Sequence, residues 1–360
     1  MPNSAYIHIP FCRSKCKYCS FVSFAREDLI TGYIYSLLKE ISENYCGEVL
    51  KTLYFGGGTP SLVPVNLLGK LINKFKISSD TEITVEINPD DANSEYFEGL
   101  KSVGVNRISI GSQTFNDNIL EKIGRRHNSK QTEAAVIQAK KAGFDNISAD
   151  LIYGLPTQTL DGLKQDIDKF LSLDIQHIST YGLKIESSSF WGKNPPESIP
   201  DDDTQADMYE LINKILENNK FYRYEISNFS KNGFESKHNL NYWNNSEYYG
   251  FGVSAHGYVD GVRYSNYCEL EKYMENPSTR EFGKFLTVQE KLEEEIFLGF
   301  RKTEGINIEK INSEFGIDFE KKYKQILQKY TDYLIRTQSG YALNLQGVLL
   351  SNVILADFLE

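Results

Sequence analysis

The chain is poor in positive charge. Its 360 residues carry 39 Lys and Arg against 49 Asp and Glu, a formal net charge of −10 with a pI near 5.2. That balance excludes a generally basic nucleic-acid binder, and no nucleic-acid partner is expected. Long apolar runs are missing as well. None reaches the roughly 18 residues that a membrane-crossing helix needs. The opening "MPNSAYIHIPF" has neither the positive start nor the apolar stretch of a secretion signal. Cysteine is scarce, with five unevenly spread residues. A disulfide framework is therefore not expected, and a reducing, cytoplasmic location is. No tandem repeat of fixed period and no low-complexity tract stands out.

What is present suits a protein with a sizeable core. Hydrophobic residues make up 40% and charged residues 24% of the chain. Short runs rich in β-branched and aromatic residues recur at 5–11, 51–59, 81–89, 106–114, 146–154 and 177–183. Helix-like stretches lie between them. In 28–44, Leu29, Tyr33, Leu37 and Ile41 fall four apart on one apolar stripe, and 130–142, 159–172 and 204–218 read similarly. This alternation predicts an α/β fold of consecutive βα units on a parallel sheet, curled into a partial (β/α)6 barrel over 1–220. Chemistry is then expected at the C-terminal strand ends. Cys12 follows the first strand, the glycines 56–58 end the second, Glu86 the third and Gln113 the fourth, while Asp150 lies in the fifth.

Beyond residue 220 the grammar changes. Residues 221–286 are dense in aromatics, Asn and Gly and show no helical stripe, so they read as a connecting region. Residues 287–360 return to helical patterning behind a Thr287 cap, with a short hairpin expected near 333–345.

Three of the five cysteines crowd into "FCRSKCKYCSF" (11–21). Cys12, Cys16 and Cys19 are soft ligands that one loop can wrap around a metal or cluster. Zinc with His8 as fourth ligand is one reading, although His8 sits inside a strand four residues before Cys12. An iron–sulfur cluster is another, with three thiolates leaving one iron open to a small molecule. Three inert thiols are the third. Cys46 and Cys268 stand alone and read as packing residues.

The spacing C-x3-C-x2-C after a first strand, with Tyr18 before the last cysteine, resembles the radical S-adenosylmethionine (SAM) superfamily. The resemblance implies a 4Fe-4S cluster on Cys12, Cys16 and Cys19, its open iron chelated by SAM. It implies that "GGGTP" (56–60), through Gly57, Gly58 and Thr59, meets the methionine end of SAM. Glu86 in "VEINP" suits the ribose diol, which a carboxylate can accept from twice. Tyr6, Tyr18, Gln113, Arg125 and Asp150 fall where the family places further SAM contacts. Taken singly, Asp150 reads as a strand-end polar group and Arg125 as a surface charge.

Within the superfamily, "YIHIPFC", "YFGGGTPSL", "QTFND", "IGRRH" and "DLIYGLP" are similar to the oxygen-independent coproporphyrinogen III dehydrogenases and to their sister family, the HemW heme chaperones. The dehydrogenases carry a further cysteine two residues after the third, where this chain has Phe21, and an extension before the cluster, where Cys12 here stands near the start. "HNLNYW" (238–243), preceded by "YEISNF" (224–229), matches the H-N-x-x-Y-W motif tied to heme in the HemW family. The resemblance therefore implies heme binding through His238, Asn239, Tyr242 and Trp243. On residues alone, a locally satisfied histidine and two packed rings remain the plainer reading. His256 is a second heme candidate, and its equivalent contacts SAM in the dehydrogenases. Val253-Ser254 replaces the Pro-Gly common in the family, which bears on loop geometry. The implied function is a heme carrier that serves an acceptor protein, one associated with membranes and respiration, and that can form a homodimer. A radical decarboxylase acting on coproporphyrinogen III and a structural zinc protein are the alternatives.

Overall fold

The computed structural model describes residues 1–359. Six strands run parallel in chain order: β1 (Ser4–Ile9), β2 (Val49–Gly57), β3 (Lys76–Ile87), β4 (Arg107–Gln113), β5 (Ile147–Tyr153) and β6 (His177–Gly182). Each pairs with the next, so the arc is the predicted succession of βα units. The crossovers use α1 (Ile30–Asn44), α2 (Val65–Ile72), α3 (Ser94–Ser102), α4 (Asp117–Lys122), α5 (Ser129–Lys141) and α6 (Leu160–Ser172). Their starts follow local chemistry. The Asn93, Asn116 and Thr159 side chains accept first-turn N–H groups, and Asn128 forms a reciprocal capping box with Gln131.

Strand periodicity sorts the side chains into two environments. Ile7, Leu53, Phe55, Val85, Ile108, Ile110, Ala149 and Ile178 face outward and join one core with helical residues such as Leu37, Leu68, Phe97, Val136, Ile167 and Phe170. Full burial of each such aliphatic or aromatic group is worth about 1.5–3 kcal/mol. The alternate positions point into the lumen and are mostly polar: Tyr6 and His8, Thr52 and Tyr54, Thr84 and Glu86, Arg107 and Ser109, Ser148 and Asp150, His177 and Ser179. A closed eight-stranded barrel packs this space with branched aliphatics. Here it is lined by polar groups.

The segment 221–286 does more than connect. It lays β7 (Tyr222–Arg223) and β8 (Asn228–Ser230) on the β6 edge and β9 (Tyr249–Phe251) parallel to β1 on the opposite edge. Between them, the helix Lys237–Trp243 spans the N-terminal end of the lumen. Glu82 on β3 accepts the backbone N–H of Lys237 and of His238, both at 3.2 Å, and Ser4 at the start of β1 donates to Asn241 at 3.0 Å. A three-stranded antiparallel sheet follows: His256–Val259, Val262–Asn266 and Arg280–Phe285.

The C-terminal part is mainly helical, opening on a Thr287–Glu290 capping box, with the hairpin Leu334–Arg336/Tyr341–Leu343. It has its own core of Leu292, Ile296, Phe300, Ile311, Phe319 and Phe358, joined by Tyr209 from the barrel side. Cys46 and Cys268, read as packing residues, are both exposed. Among the described residues, no helix is long and apolar enough to cross a membrane.

Candidate functional site

One cavity of about 440 Å³ opens at the C-terminal ends of β1 to β6, within the usual range for a small-molecule site. Cys12, Cys16, Cys19 and Tyr18 line one wall. Gly57, Gly58, Thr59, Glu86, Gln113, Arg125 and Asp150 line the rest. Residues up to 174 positions apart in sequence, Cys12 to Glu186, therefore meet at one site.

The cysteine loop is held from several sides. Cys12 N–H donates to Phe24 O at 3.1 Å and Phe24 N–H to Pro10 O at 2.7 Å, closing the loop's base. Lys17 N–H bonds Ile123 O after α4, Trp191 N–H bonds Lys17 O, and Cys19 N–H turns back to Cys16 O. The thiols have donors beside them. Thr59 Oγ1 lies 3.3 Å from Cys12 Sγ, and an Arg125 guanidinium nitrogen 3.6 Å from Cys16 Sγ. Such donors stabilise thiolate, the form that binds metal. Burial works against it, raising the Cys12 and Cys19 thiols above their ordinary value. Among the described residues, no three His, Cys, Asp or Glu side chains converge tightly enough for one metal ion. The donor set nonetheless fits a cluster: three thiols face a roomy cavity beside a hydroxyl, a guanidinium and a backbone cradle.

That cradle depends on missing side chains. A Cβ on Gly58 would lie 2.8 Å from the carbonyl oxygens of Ile9 and Phe11, and one on Gly57, at φ +111°, would strike the His8 ring at 2.4 Å. His8 is not free to ligate. Its Nε2 lies 3.0 Å from Val22 O, which can only accept, so Nδ1 accepts from Tyr6 OH at 3.0 Å. Burial then depresses His8 to about 4, and the ring is neutral. Tyr6 consequently sits beneath the cavity, supporting His8, and is absent from the lining.

Glu86 accepts from Tyr54 OH at 2.9 Å and from Gly57 N–H at 3.1 Å. Burial, then the nearby Asp150 carboxylate, pushes it up to about 7. Burial also raises Asp150, against hydrogen bonds from Ser179 and Ser109, the latter at 3.3 Å. Gln113 occupies a left-handed φ of +66°, at an irregularity in the β4–β5 pairing between Ile110 and Gln113. Non-glycine residues adopt that geometry mainly where function or packing enforces it. Arg125 is no free surface charge. It bonds Gly111 O at 2.6 Å and the Asn88 side chain, and its Nε meets His127 Nδ1 at 3.4 Å. His127 is fixed in turn by Ser112 O at 3.1 Å. Asn88 and Tyr54 were missed in the sequence because their partners, Arg125 and Glu86, lie 37 and 32 residues away, and His127 because its role follows from where Arg125 is placed.

The remaining expected residues lie elsewhere. His256 starts the small antiparallel sheet, is exposed, and is not in the cavity lining. His238 is 2% exposed within the lumen floor. Its Nδ1 meets Thr52 Oγ1 at 2.8 Å and its Nε2 meets Tyr242 OH at 2.9 Å, so both nitrogens are engaged. Asn239 N–H bonds the Ser236 cap at 3.3 Å. Tyr242 and Trp243 reach a second cavity of about 680 Å³, shared with Tyr248, Arg263 and Phe297.

Comparison with known proteins identifies the family. Residues 6–170 match the radical SAM superfamily and 286–350 the HemN C-terminal domain. Heme chaperone HemW of Lactococcus lactis is 43% identical over 89% of this chain and 87% of its own. Heme chaperone HemW of Bacillus subtilis is 39% identical over 99% of both chains. The coproporphyrinogen III oxidase HemN structure of Escherichia coli, a radical SAM enzyme, superposes with a TM-score of 0.88 over 99% of this chain and 90% of its own, at 21% identity. Membership of the radical SAM superfamily implies a 4Fe-4S cluster and SAM. From the cysteine loop to the helical C-terminal part, the chain belongs to the HemW heme chaperone family of that superfamily.

Proposed function

We propose that this protein is a heme chaperone, binding heme and passing it to an acceptor protein, with a 4Fe-4S cluster and SAM in the upper cavity. The observation that carries the reading is the match, at 39% identity over 99% of both chains, to a protein described as a heme chaperone. Likeness to coproporphyrinogen III oxidase, at 21% identity, extends to the fold. In this reading Cys12, Cys16 and Cys19 hold the cluster, Gly57 to Thr59 and Arg125 flank the amino-acid end of SAM, and Glu86 and Asp150 take its polar groups. When bound, such a cluster supplies one-electron chemistry and an open iron for SAM. The protein's own part is to orient the nucleotide and shield the thiols. Phe21, 61% exposed at the rim, stands where the dehydrogenases place a further cysteine.

Heme is assigned to the 238–243 motif. Supporting this, the groove beside Tyr242 and Trp243 offers aromatic surface from Tyr248 and Phe297. Iron ligation by His238 requires its bond to Thr52 or to Tyr242 to open, because both nitrogens are occupied. The deciding experiment uses anaerobically reconstituted protein. It should bind hemin with a Soret band and release it to an apo heme-protein acceptor. With coproporphyrinogen III, SAM and a reductant it should form no protoporphyrinogen; formation of that product would establish the decarboxylase instead.

A further inference from the structure

His238 lies at the end of a path that leads away from the heme groove. Its ring stacks on Tyr54, with centroids 4.9 Å apart and planes at 22°. The Tyr54 hydroxyl donates to Glu86 Oε1 at 2.9 Å, and the other Glu86 oxygen accepts Gly57 N–H at 3.1 Å. Gly56 makes the approach close: a Cβ there would lie 2.9 Å from both Glu86 Oε1 and the Tyr54 ring. The ring of His238 is itself fixed by Thr52 and Tyr242, and its backbone N–H by Glu82. The imidazole is thus held by Thr52 of β2 and Tyr242 of its own helix, and the backbone by Glu82 of β3, with the ring's flat face presented to Tyr54.

We propose that His238 is a positioning residue for the nucleotide cavity: stacked beneath Tyr54, it fixes the phenol that holds Glu86 toward the ribose. This rests on the reading of the upper cavity as the SAM site. A histidine in a heme motif thereby serves the opposite end of the lumen. The contact is face to face, so an aromatic ring of similar size can keep the stack, whereas an aliphatic side chain cannot. Burial keeps His238 neutral, down to about 3 with Arg107 nearby, so no charge is needed for this role. A ligand that draws His238 out of the floor, an iron porphyrin included, removes that support. Porphyrin and nucleotide then oppose each other through one side chain, and the effect is reciprocal.

The test measures SAM dissociation constants on cluster-loaded protein under anaerobic conditions, with thermal midpoints recorded alongside. His238→Leu should weaken SAM by about fivefold or more in the native background, but by less than about twofold once Tyr54→Phe has removed the phenol hydroxyl. His238→Phe, which keeps the ring and loses the iron ligand, should restore SAM affinity. A merely structural role would lower the midpoint in both backgrounds and leave the two losses in affinity multiplicative. Unchanged SAM affinity in His238→Leu, or independent losses, would overturn the proposal while leaving the cavity assignment intact. If native cluster-loaded protein takes up no SAM, the cavity assignment falls and this role falls with it. Should His238→Leu fail to fold, His238→Gln, which keeps polar groups for Thr52 and Tyr242 but has no ring to stack, should weaken SAM in the same direction only while Tyr54 is present; no weakening overturns the proposal.

Discussion

Glu86 is a carboxylate in a buried lumen whose direct partners, Tyr54 and Gly57, carry no charge. Its value near 7, against 4.5 for the free side chain, means that the folded protein keeps a proton the unfolded chain has released across that interval. Stability of the ligand-free protein therefore falls as pH rises from about 4.5 to about 7, by roughly 3 kcal/mol from this group. Glu86→Gln should remove that slope in denaturant titrations at paired pH values. On the proposed SAM reading, the native protein should gain SAM affinity as this carboxylate ionises toward pH 7, and Glu86→Gln should weaken SAM and abolish that pH dependence. A second prediction concerns the thiols. Cys16→Ser should abolish iron uptake and the brown absorbance after anaerobic reconstitution, because oxygen is a poor substitute for a soft thiolate. Retained iron and sulfide at native levels would place the cluster elsewhere. The sequence made these residues legible through spacing: three cysteines in one loop, three adjacent glycines, and polar residues at successive strand ends. It left His238 open between ligand and local partner. One answer, Tyr242, lies four residues on, while the other, Thr52, lies 186 residues away.

At the level of elements, long strands announced themselves. Alternation such as Arg107-Ile108-Ser109-Ile110 shows a polar and an apolar face over the first four of the seven residues of β4. β7, β8 and β9 have two or three residues each, too few to express a period, so their contribution to both edges of the sheet was invisible. What fastens this segment is a buried polar knot around Glu40 of α1. The fully buried carboxylate accepts from Gly252 N–H at 2.8 Å, Asn266 Nδ2 at 2.8 Å and Tyr273 OH at 2.6 Å, and pairs with Arg280. Burial alone raises this carboxyl, and Arg280 is the largest opposing influence. Removing one partner of a buried pair strands the other, so Glu40→Ala should cost about 3–5 kcal/mol. Hydrogen exchange should locate the loss in the strands Val262–Asn266 and Arg280–Phe285 as well as in α1. A loss confined to α1 would show that the knot does not dock the small sheet.

The whole molecule depends on this bracing more than its order of motifs suggests. Every residue that lines the upper cavity, including those proposed to hold the cluster and the nucleotide, lies within 12–186. A barrel ending at 220 would retain all of them. It would lose β9 from the β1 edge, β7 and β8 from the β6 edge, and the Lys237–Trp243 helix from the lumen floor. Two open edges would then offer unpaired N–H and C=O groups to other chains. Arg107, His177 and the Tyr54–Glu86 pair would face water where they now face protein. The fragment 1–220 should accordingly aggregate on expression, or fail to bind SAM after cluster reconstitution. Removing 287–360 instead uncovers the patch around Tyr209, Tyr153 and Ile226 but leaves both edges and the floor covered. The fragment 1–286 should therefore keep SAM affinity within a few-fold of the native protein, at a lower thermal midpoint. Size-exclusion chromatography and SAM titration of the two fragments separate these outcomes. A monomeric, SAM-binding 1–220 would show that the arc stands without the segment that joins its edges.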